Sequence, residues 1–373
     1  MQSYPVEFLQ AMLDTYSPSG SEKQLASLLH THLTSHGFKT GNDAVGNLIG
    51  EFGTDGPSIL LCGHMDTVPG EMPVRQEGDF IYGRGAVDAK SSLAALYVGA
   101  TLARERCKSP FKITLAAVVQ EETSSLGMEA IIRQGDTYDL AVFGEPSGAR
   151  NIVIGYKGSL RVQITCKTNG GHSASPWISK NSFEEIFYFW DKFRATMLQN
   201  DSESKFDTVT GCVTNAKAGD ADNTIPSHAT IDIDIRIPPN IHSKQLANKI
   251  NDFTSEYLKN NAETQLEVSI KSQTESYLGE ESSLAVLAFR SAIKKTLNGQ
   301  VFLLKKTGTS DMNLLASTQK IPMIAYGPGD SRLDHTPHER ISITEYLNSI
   351  QIIANAIEKF VSLHNTRMNS GVQ

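Results

Sequence analysis

The chain has 373 residues, more than one hydrophobic core usually serves, so two domains are expected. Hydrophobic residues make up 39% of it and glycine a further 29 positions, an ordinary globular balance. A net charge of −7 and a pI near 5.8 argue against a nucleic-acid or anionic-membrane surface, while leaving room for a local basic patch.

The opening segment MQSYPVEFLQAMLD lacks a basic n-region and carries Glu7, so no signal peptide is expected. Next, YSPSGSEKQLASLLHTHLTSHG reads as a turn and then a helix, with Ser19 or Ser21 as its cap and Gly37 as its stop. Strands are predicted at 45–51, 58–62, 113–119 and 140–143, with helices between them at about 91–106 and 126–133. That alternation points to an α/β layer with a largely parallel sheet. The uncharged helical stretch SSLAALYVGATLA falls well short of the ~20 apolar residues a membrane span needs.

The pattern changes near 155. SLRVQITCKTN, TVTGCVTNAKAG and HATIDIDIRIP alternate as half-buried strands, and helices are predicted at about 182–199 and 242–260. This suggests a smaller α+β domain at 158–276 inserted into an outer domain made of 1–157 and 277–373. From about 284 the α/β style returns, with a helix, the short strand IPMIAYG and a terminal helix at about 343–363. Cys62, Cys107, Cys166 and Cys212 are scattered without C-x-x-C spacing and read as reduced core thiols of a cytoplasmic protein.

Polar residues at the predicted strand ends carry the chemistry. SILLCGHMDTVP delivers His64 and Asp66 to one side of a strand end, because strand side chains alternate. Asp88 lies between a glycine-containing turn and a helix start, where an Asp alone is most often an N-cap. ITLAAVV runs into Gln120, Glu121 and Glu122, and adjacent glutamates ending a buried strand repel one another unless a cation is near. YDLAVFGEPSG ends in Glu145. In a parallel sheet the carboxyl ends of the strands share one rim, where ligands bind. Downstream, the loop GPGDSRLDHTPHERI offers His335 and His338, the nitrogen ligands that suit zinc or cobalt rather than magnesium. The ligand count gives one His and one Glu for each of two ions, a carboxylate to bridge them, and a glutamate left over as general base.

Taken in order, GHMDTVP, GRGAVDAK, QEETSSLG, GEPSG, GGHSASP and DHTPHE resemble the M20 family of metallohydrolases with two co-catalytic ions. The resemblance implies a zinc-exopeptidase-like catalytic domain with a mixed, largely parallel sheet, plus an inserted α+β domain acting as lid and dimer contact. It implies that Asp88 bridges two Zn2+ ions, with Co2+ as the alternative, that His64 and Glu145 complete one site, and that Glu122 and His335 complete the other. His335 is matched rather than His338 because the family's loop histidine precedes a glutamate by four positions, as His335 precedes Glu339. Asp66 would orient and polarise His64 through its carboxylate, Glu121 would be the general base, and the peptide after Asp88 would be cis. His172, from the inserted domain, would stabilise the oxyanion in its own or the neighbouring subunit. Asn223 and Arg236 match positions that bind polar or carboxylate groups of the substrate. Gly308, Thr309 and Ser310 lie in TGTSDMN, a loop suited to holding a carboxylate by backbone N–H groups and hydroxyls.

Longer matches, among them IGYKGSL, DIDIRIPPN, KTGTSDMN and AYGPGDSRLDHTPHE, resemble the M20 hydrolases that release lysine, and often ornithine, from an amino-group carrier protein of LysW type. Those enzymes cut the amide to the carrier's C-terminal glutamate in the last step of lysine or arginine biosynthesis. Ser91 stands where glycine is expected and His338 where asparagine is expected, and neither is a proposed ligand. The carriers are acidic, so a docking patch of Lys157, Arg161, Lys305, Lys306 and Arg332 is expected. The rival is a deacetylase of free N-acetylornithine or N-acetyllysine. A non-catalytic metal-binding protein on the same scaffold would have lost Glu121, Asp88 or His335, and all three are present. A homodimer is expected, with no nucleic-acid or membrane partner.

Overall fold

The computed structural model describes residues 3–198, 203–261 and 264–370. They divide into two compact units, one of Met1–Gly155, Gly279–Lys305 and Ser310–Gln373, the other of Tyr156–Leu278 and Lys306–Thr309.

A mixed sheet forms the centre of the first unit. Its middle strands are Lys112–Val118, Ser58–His64, Leu140–Phe143 and Met323–Ala325, side by side in that order and all parallel. Parallel strands have both faces covered, so they must be apolar throughout rather than alternating. That is why LLC, TLAAV and LAVF read as continuous apolar runs. Leu48–Phe52 and Lys39–Asn42 extend one edge in antiparallel fashion, and Asn151–Tyr156 joins Met323–Ala325 in the same way, so the sheet is mixed. Helix Lys90–Arg106 packs against Ile343–Asn369, which packs in turn against Leu284–Leu297. The first two approach closely at Gly99, where an added Cβ would lie 2.6 Å from Ile353 Cγ2. The Asp88–Ala89 peptide, just before Lys90–Arg106, is cis, as the resemblance implied.

Several local details differ from the sequence reading. Residues considered above only as a signal peptide form the helix Ser3–Asp14, which buries Phe8, Leu9, Met12 and Leu13. The next helix, Lys23–Ser35, begins after Glu22, not at Ser19 or Ser21, because the Ser19 hydroxyl is committed to Asp66. The strand expected at 58–62 continues to His64. The helix expected at 182–199 ends at Met197, and residue 199 lies outside the described residues. Gln265–Thr274 and Asp311–Thr318 are a strand and a helix that were not predicted.

In the second unit, an antiparallel sheet runs Thr210–Ala218, His228–Ile237, Gly158–Lys167, Gln265–Thr274. Leu160, Val162, Ile164 and Cys166 share a buried core with Ile231, Ile233 and Ile235 and with Ile186, Phe189, Phe193, Leu246 and Ile250 of helices Ser182–Met197 and Ser243–Asn260. The intervening residues, among them Arg161, Gln163, Asp232 and Asp234, point to the other face, as the period-2 pattern requires.

Candidate metal centre

Three of the parallel strands end at one place in the first unit. Ser58–His64 carries His64 as its last residue, Lys112–Val118 leads into Glu121 and Glu122, and Leu140–Phe143 leads into Glu145. His64 is buried, and its Nε2 lies 3.2 Å from Asp88 Oδ1. His335 Nε2 lies 3.1 Å from Asp88 Oδ2 and 2.9 Å from Glu122 Oε1. Asp88 thus stands between the two imidazoles. Ligand atoms of His64, Asp88 and Glu122 all fall within 4.8 Å of one another. Nitrogen and oxygen ligands bound at ~2.0–2.2 Å to a tetrahedral ion sit roughly 3.3 Å apart, so these spacings and this donor set fit divalent metal.

Asp66 is fully buried, and its carboxylate accepts the Ser19 hydroxyl at 2.6 Å and the N–H groups of Glu121 and Glu122 at 3.0 and 3.1 Å. Glu22 adds the N–H of Gln120 at 3.1 Å. Two carboxylates therefore hold three successive peptide groups of the Glu121–Glu122 turn, where Gln120 has φ +58°. His64 Nδ1 is bonded to the carbonyl oxygen of Asp66 at 2.8 Å, while the nearer carboxylate oxygen is 3.6 Å away. The main chain of Asp66 thus orients His64, and its side chain orients the glutamates.

Charge and burial oppose each other across the cluster. Burial would draw His64 down, but the neighbouring Asp66 and Asp88 carboxylates raise its pKa well above the ordinary value. Hydrogen bonds to Asp88 and Glu122 carry His335 up to about 10. Burial would raise Asp88, yet the two histidines hold it far below the usual carboxylate range. Glu121 goes the other way: burial lifts it well above that range, His64 offsets part, and Glu145, Asp311 and Asp88 add to the rise. Asp311 was not singled out in the sequence. It is a buried carboxyl opening helix Asp311–Thr318, pushed up to about 7 chiefly by burial.

The other candidates belong to the second unit, apart from Ser310. His172 sits in a two-residue ribbon paired with Thr224–Ile225, and the Ser173 N–H donates to the Asn223 carbonyl at 3.0 Å, so His172 and Asn223 are brought together. Nδ1 of His172 accepts the Ala174 N–H at 3.0 Å, which leaves Nε2 to carry the proton of the neutral ring. Arg236 donates to Asp234 at 2.8 Å and to the Thr309 hydroxyl at 3.1 Å. Asp234 could have been found from the period-2 pattern, since it shares a strand face with Arg236. Gly308 precedes Thr309, with open space where a Cβ would stand. The Ser310 hydroxyl caps helix Asp311–Thr318 by accepting the Met312 N–H, so it is already engaged.

One expected docking residue is misplaced. Lys157 is fully buried, and its ammonium donates to Lys205 O, Thr208 O and Thr210 Oγ1 at 3.0, 2.6 and 2.8 Å. It pins the loop before Thr210–Ala218 and offers nothing to a carrier. Arg161, Lys305 and Arg332 are exposed, though Arg332 is paired with Asp330. Among the described residues no helix is long and apolar enough to cross a membrane.

The chain is 32% identical over 355 residues to a [LysW]-lysine/[LysW]-ornithine hydrolase of Sulfurisphaera tokodaii, covering 95% of this chain and 94% of that one. It is 31% identical over 362 residues to a [LysW]-lysine hydrolase of Deinococcus radiodurans, covering 95% and 96%. Its fold is similar to that of an M20 family metallo-carboxypeptidase from Sulfolobus solfataricus, with TM-score 0.80, 18% identity and coverage of 96% and 99%. It is also similar to a dinuclear metal-binding M20 peptidase of Bacillus subtilis, with TM-score 0.73, 14% identity and coverage of 98% and 99%. The family model of Peptidase family M20/M25/M40 matches residues 60–359, a span that takes in the three strand ends, Asp88 and His335. On that match and those relatives, the chain belongs to peptidase family M20/M25/M40.

Proposed function

We propose that this chain is a two-metal amide hydrolase releasing lysine, and ornithine, from the C-terminal glutamate of an acidic LysW-type carrier protein, in lysine and arginine biosynthesis. The observation that carries the reading is the convergence of His64, Asp88, Glu122 and His335 beside the partly buried Glu121. It occurs in a chain whose relatives are named for LysW-linked substrates.

Asp88 would be shared by two ions, Zn2+ or alternatively Co2+, with His64 and Glu145 on one and Glu122 and His335 on the other. When bound, such a pair would polarise the amide carbonyl and acidify a water. Glu121 would take a proton from the attacking water and return it to the leaving amine. Asp66 keeps Glu121 and Glu122 aimed by holding their N–H groups. His172 would stabilise the developing oxyanion by a hydrogen bond from its Nε2–H, in its own or the neighbouring subunit. Arg236, aimed by Asp234, would hold a substrate carboxylate together with Asn223 and the backbone of Gly308 and Thr309, while Ser310 gives both its N–H and its hydroxyl to the cap of helix Asp311–Thr318.

Two further parts of the reading have their own support. Phe183, Phe187 and Tyr188 are exposed on helix Ser182–Met197, with Trp177 and Ile178 exposed ahead of it, which suits a homodimer contact. The cysteines are free, as in a reducing cytoplasm, though only Cys62 and Cys166 lie in the core and Cys212 is exposed. Neither nucleic acid nor membrane enters the reading.

The test is release of free amino acid by the zinc- or cobalt-loaded protein. One set of substrates carries lysine or ornithine on the carrier's C-terminal glutamate, and the other is N-acetyllysine and N-acetylornithine. Rapid release from the carrier alone is expected. Turnover of only the acetylated compounds would keep the metal chemistry and overturn the substrate.

A further inference from the structure

The geometry points to Glu339 and Arg84 as positioning residues that hold the Asp88 turn and the His335 loop in register, so that both side chains reach one ion. This rests on the metal-centre reading proposed above.

Glu339 is 1% exposed, yet its carboxylate is fully engaged. Oε1 accepts the N–H of Val87 at 2.9 Å and that of Asp88 itself at 3.0 Å. Oε2 accepts Nη1 of Arg84 at 2.8 Å. Arg84 also donates from Nη1 to the Thr336 carbonyl at 3.4 Å and from Nε to the Gly70 carbonyl at 3.0 Å. The two chain segments, some 250 residues apart, are joined again through the main chain, where Gly83 N–H donates to the Glu339 carbonyl at 3.4 Å. A carboxylate four residues after His335 thus grips the peptide N–H of Asp88, and a guanidinium four residues before Asp88 grips the carbonyl next to His335.

His335 needs such support for a local reason. Its φ is +61°, in the left-handed region that a residue with a side chain adopts only when its surroundings hold it there. It is also about half exposed, so packing does little to fix it. The Arg84 bond to the Thr336 carbonyl and the Glu339 bond to Asp88 act on either side of it. Glu339 and Arg84 touch neither ion nor substrate. They act through ligands, in the way that partners of metal ligands commonly set affinity.

An ion pair serving only the fold would change the thermal midpoint of the metal-free chain and leave metal affinity untouched in whatever folds. The test is therefore calorimetric titration of metal-free wild type, Glu339→Gln and Arg84→Met with Zn2+, and with Co2+ followed by visible absorption. Thermal melts of the metal-free proteins establish that each is folded. Glu339→Gln keeps the shape and one acceptor oxygen but turns an amide N–H2 toward Arg84. In both variants the ion that His335 would hold should bind about 10- to 100-fold more weakly, with an altered cobalt band, while the other ion, which shares only Asp88 with it, should weaken less. Raising free metal should restore turnover. Wild-type affinities for both ions in both variants, whatever their melting temperatures, would overturn the proposal alone. A wild type that takes up fewer than two ions would overturn the metal reading, and this inference with it.

Discussion

Burial treats Glu121 and Lys157 alike in one respect, pushing each toward its neutral form. Their surroundings differ. Glu121 stands among candidate metal ligands with its N–H held by Asp66, whereas the Lys157 ammonium is enclosed by oxygens of one loop. Glu121→Gln should therefore keep two ions by metal analysis but lose roughly 10²- to 10⁴-fold in kcat. Near-normal turnover would remove Glu121 as the base. For Lys157 the expectation concerns stability. Its pKa falls from 10.5 to about 8, chiefly through burial. Below that value it is charged in both folded and unfolded chains. Between it and 10.5 only the unfolded chain still holds the proton, so stability rises with pH across that window. The increment is on the order of 3 kcal/mol. Thermal unfolding of wild type and Lys157→Met at rising pH should show the gap shift in favour of wild type, and a constant gap would contradict it. The polar strand ends His64, Glu121, Glu122 and Glu145 were legible because each closes a local apolar run. Ser19, Glu22 and Arg84 were not, because their partners lie 47, 98 and 255 positions away.

At the scale of elements, the central strands and long helices follow from their apolar periods, but their spacing depends on single residues. At Gly99 two effects compete. Alanine is the better helix former by ~1 kcal/mol. Its methyl would stand 2.6 Å from Ile353 Cγ2 and 3.2 Å from the Ile350 carbonyl of the facing helix, and overpacking costs about 1–3 kcal/mol. Gly99→Ala should thus lower stability by up to about 2 kcal/mol in chemical denaturation. A gain would show that the two helices can part without cost. The same scale shows why Ser19 and Ser21 misled as caps. Both fit the local rule, but Ser19 serves Asp66 instead, and the helix starts without a side-chain cap at Glu22.

For the whole molecule, a solvent-facing row of Phe183, Phe187 and Tyr188 is costly unless covered. If the proposed homodimer uses it, Phe187→Glu should yield a monomer in sedimentation with both units still folded. A dimer that persists would move the contact to another surface. By itself the sequence determined the kinds of element, the inserted α+β pattern and the placing of polar residues at strand ends. Those are properties of short stretches, set by side-chain period and turn chemistry. Only the tertiary structure decided that Asp88 stands between His64 and His335, that Asp66 holds the glutamate turn, that Lys157 is inside, and that residues 306–309 join the second unit. Each depends on groups distant in the chain meeting within about 3 Å, a distance fixed by packing the whole chain and not by any local pattern.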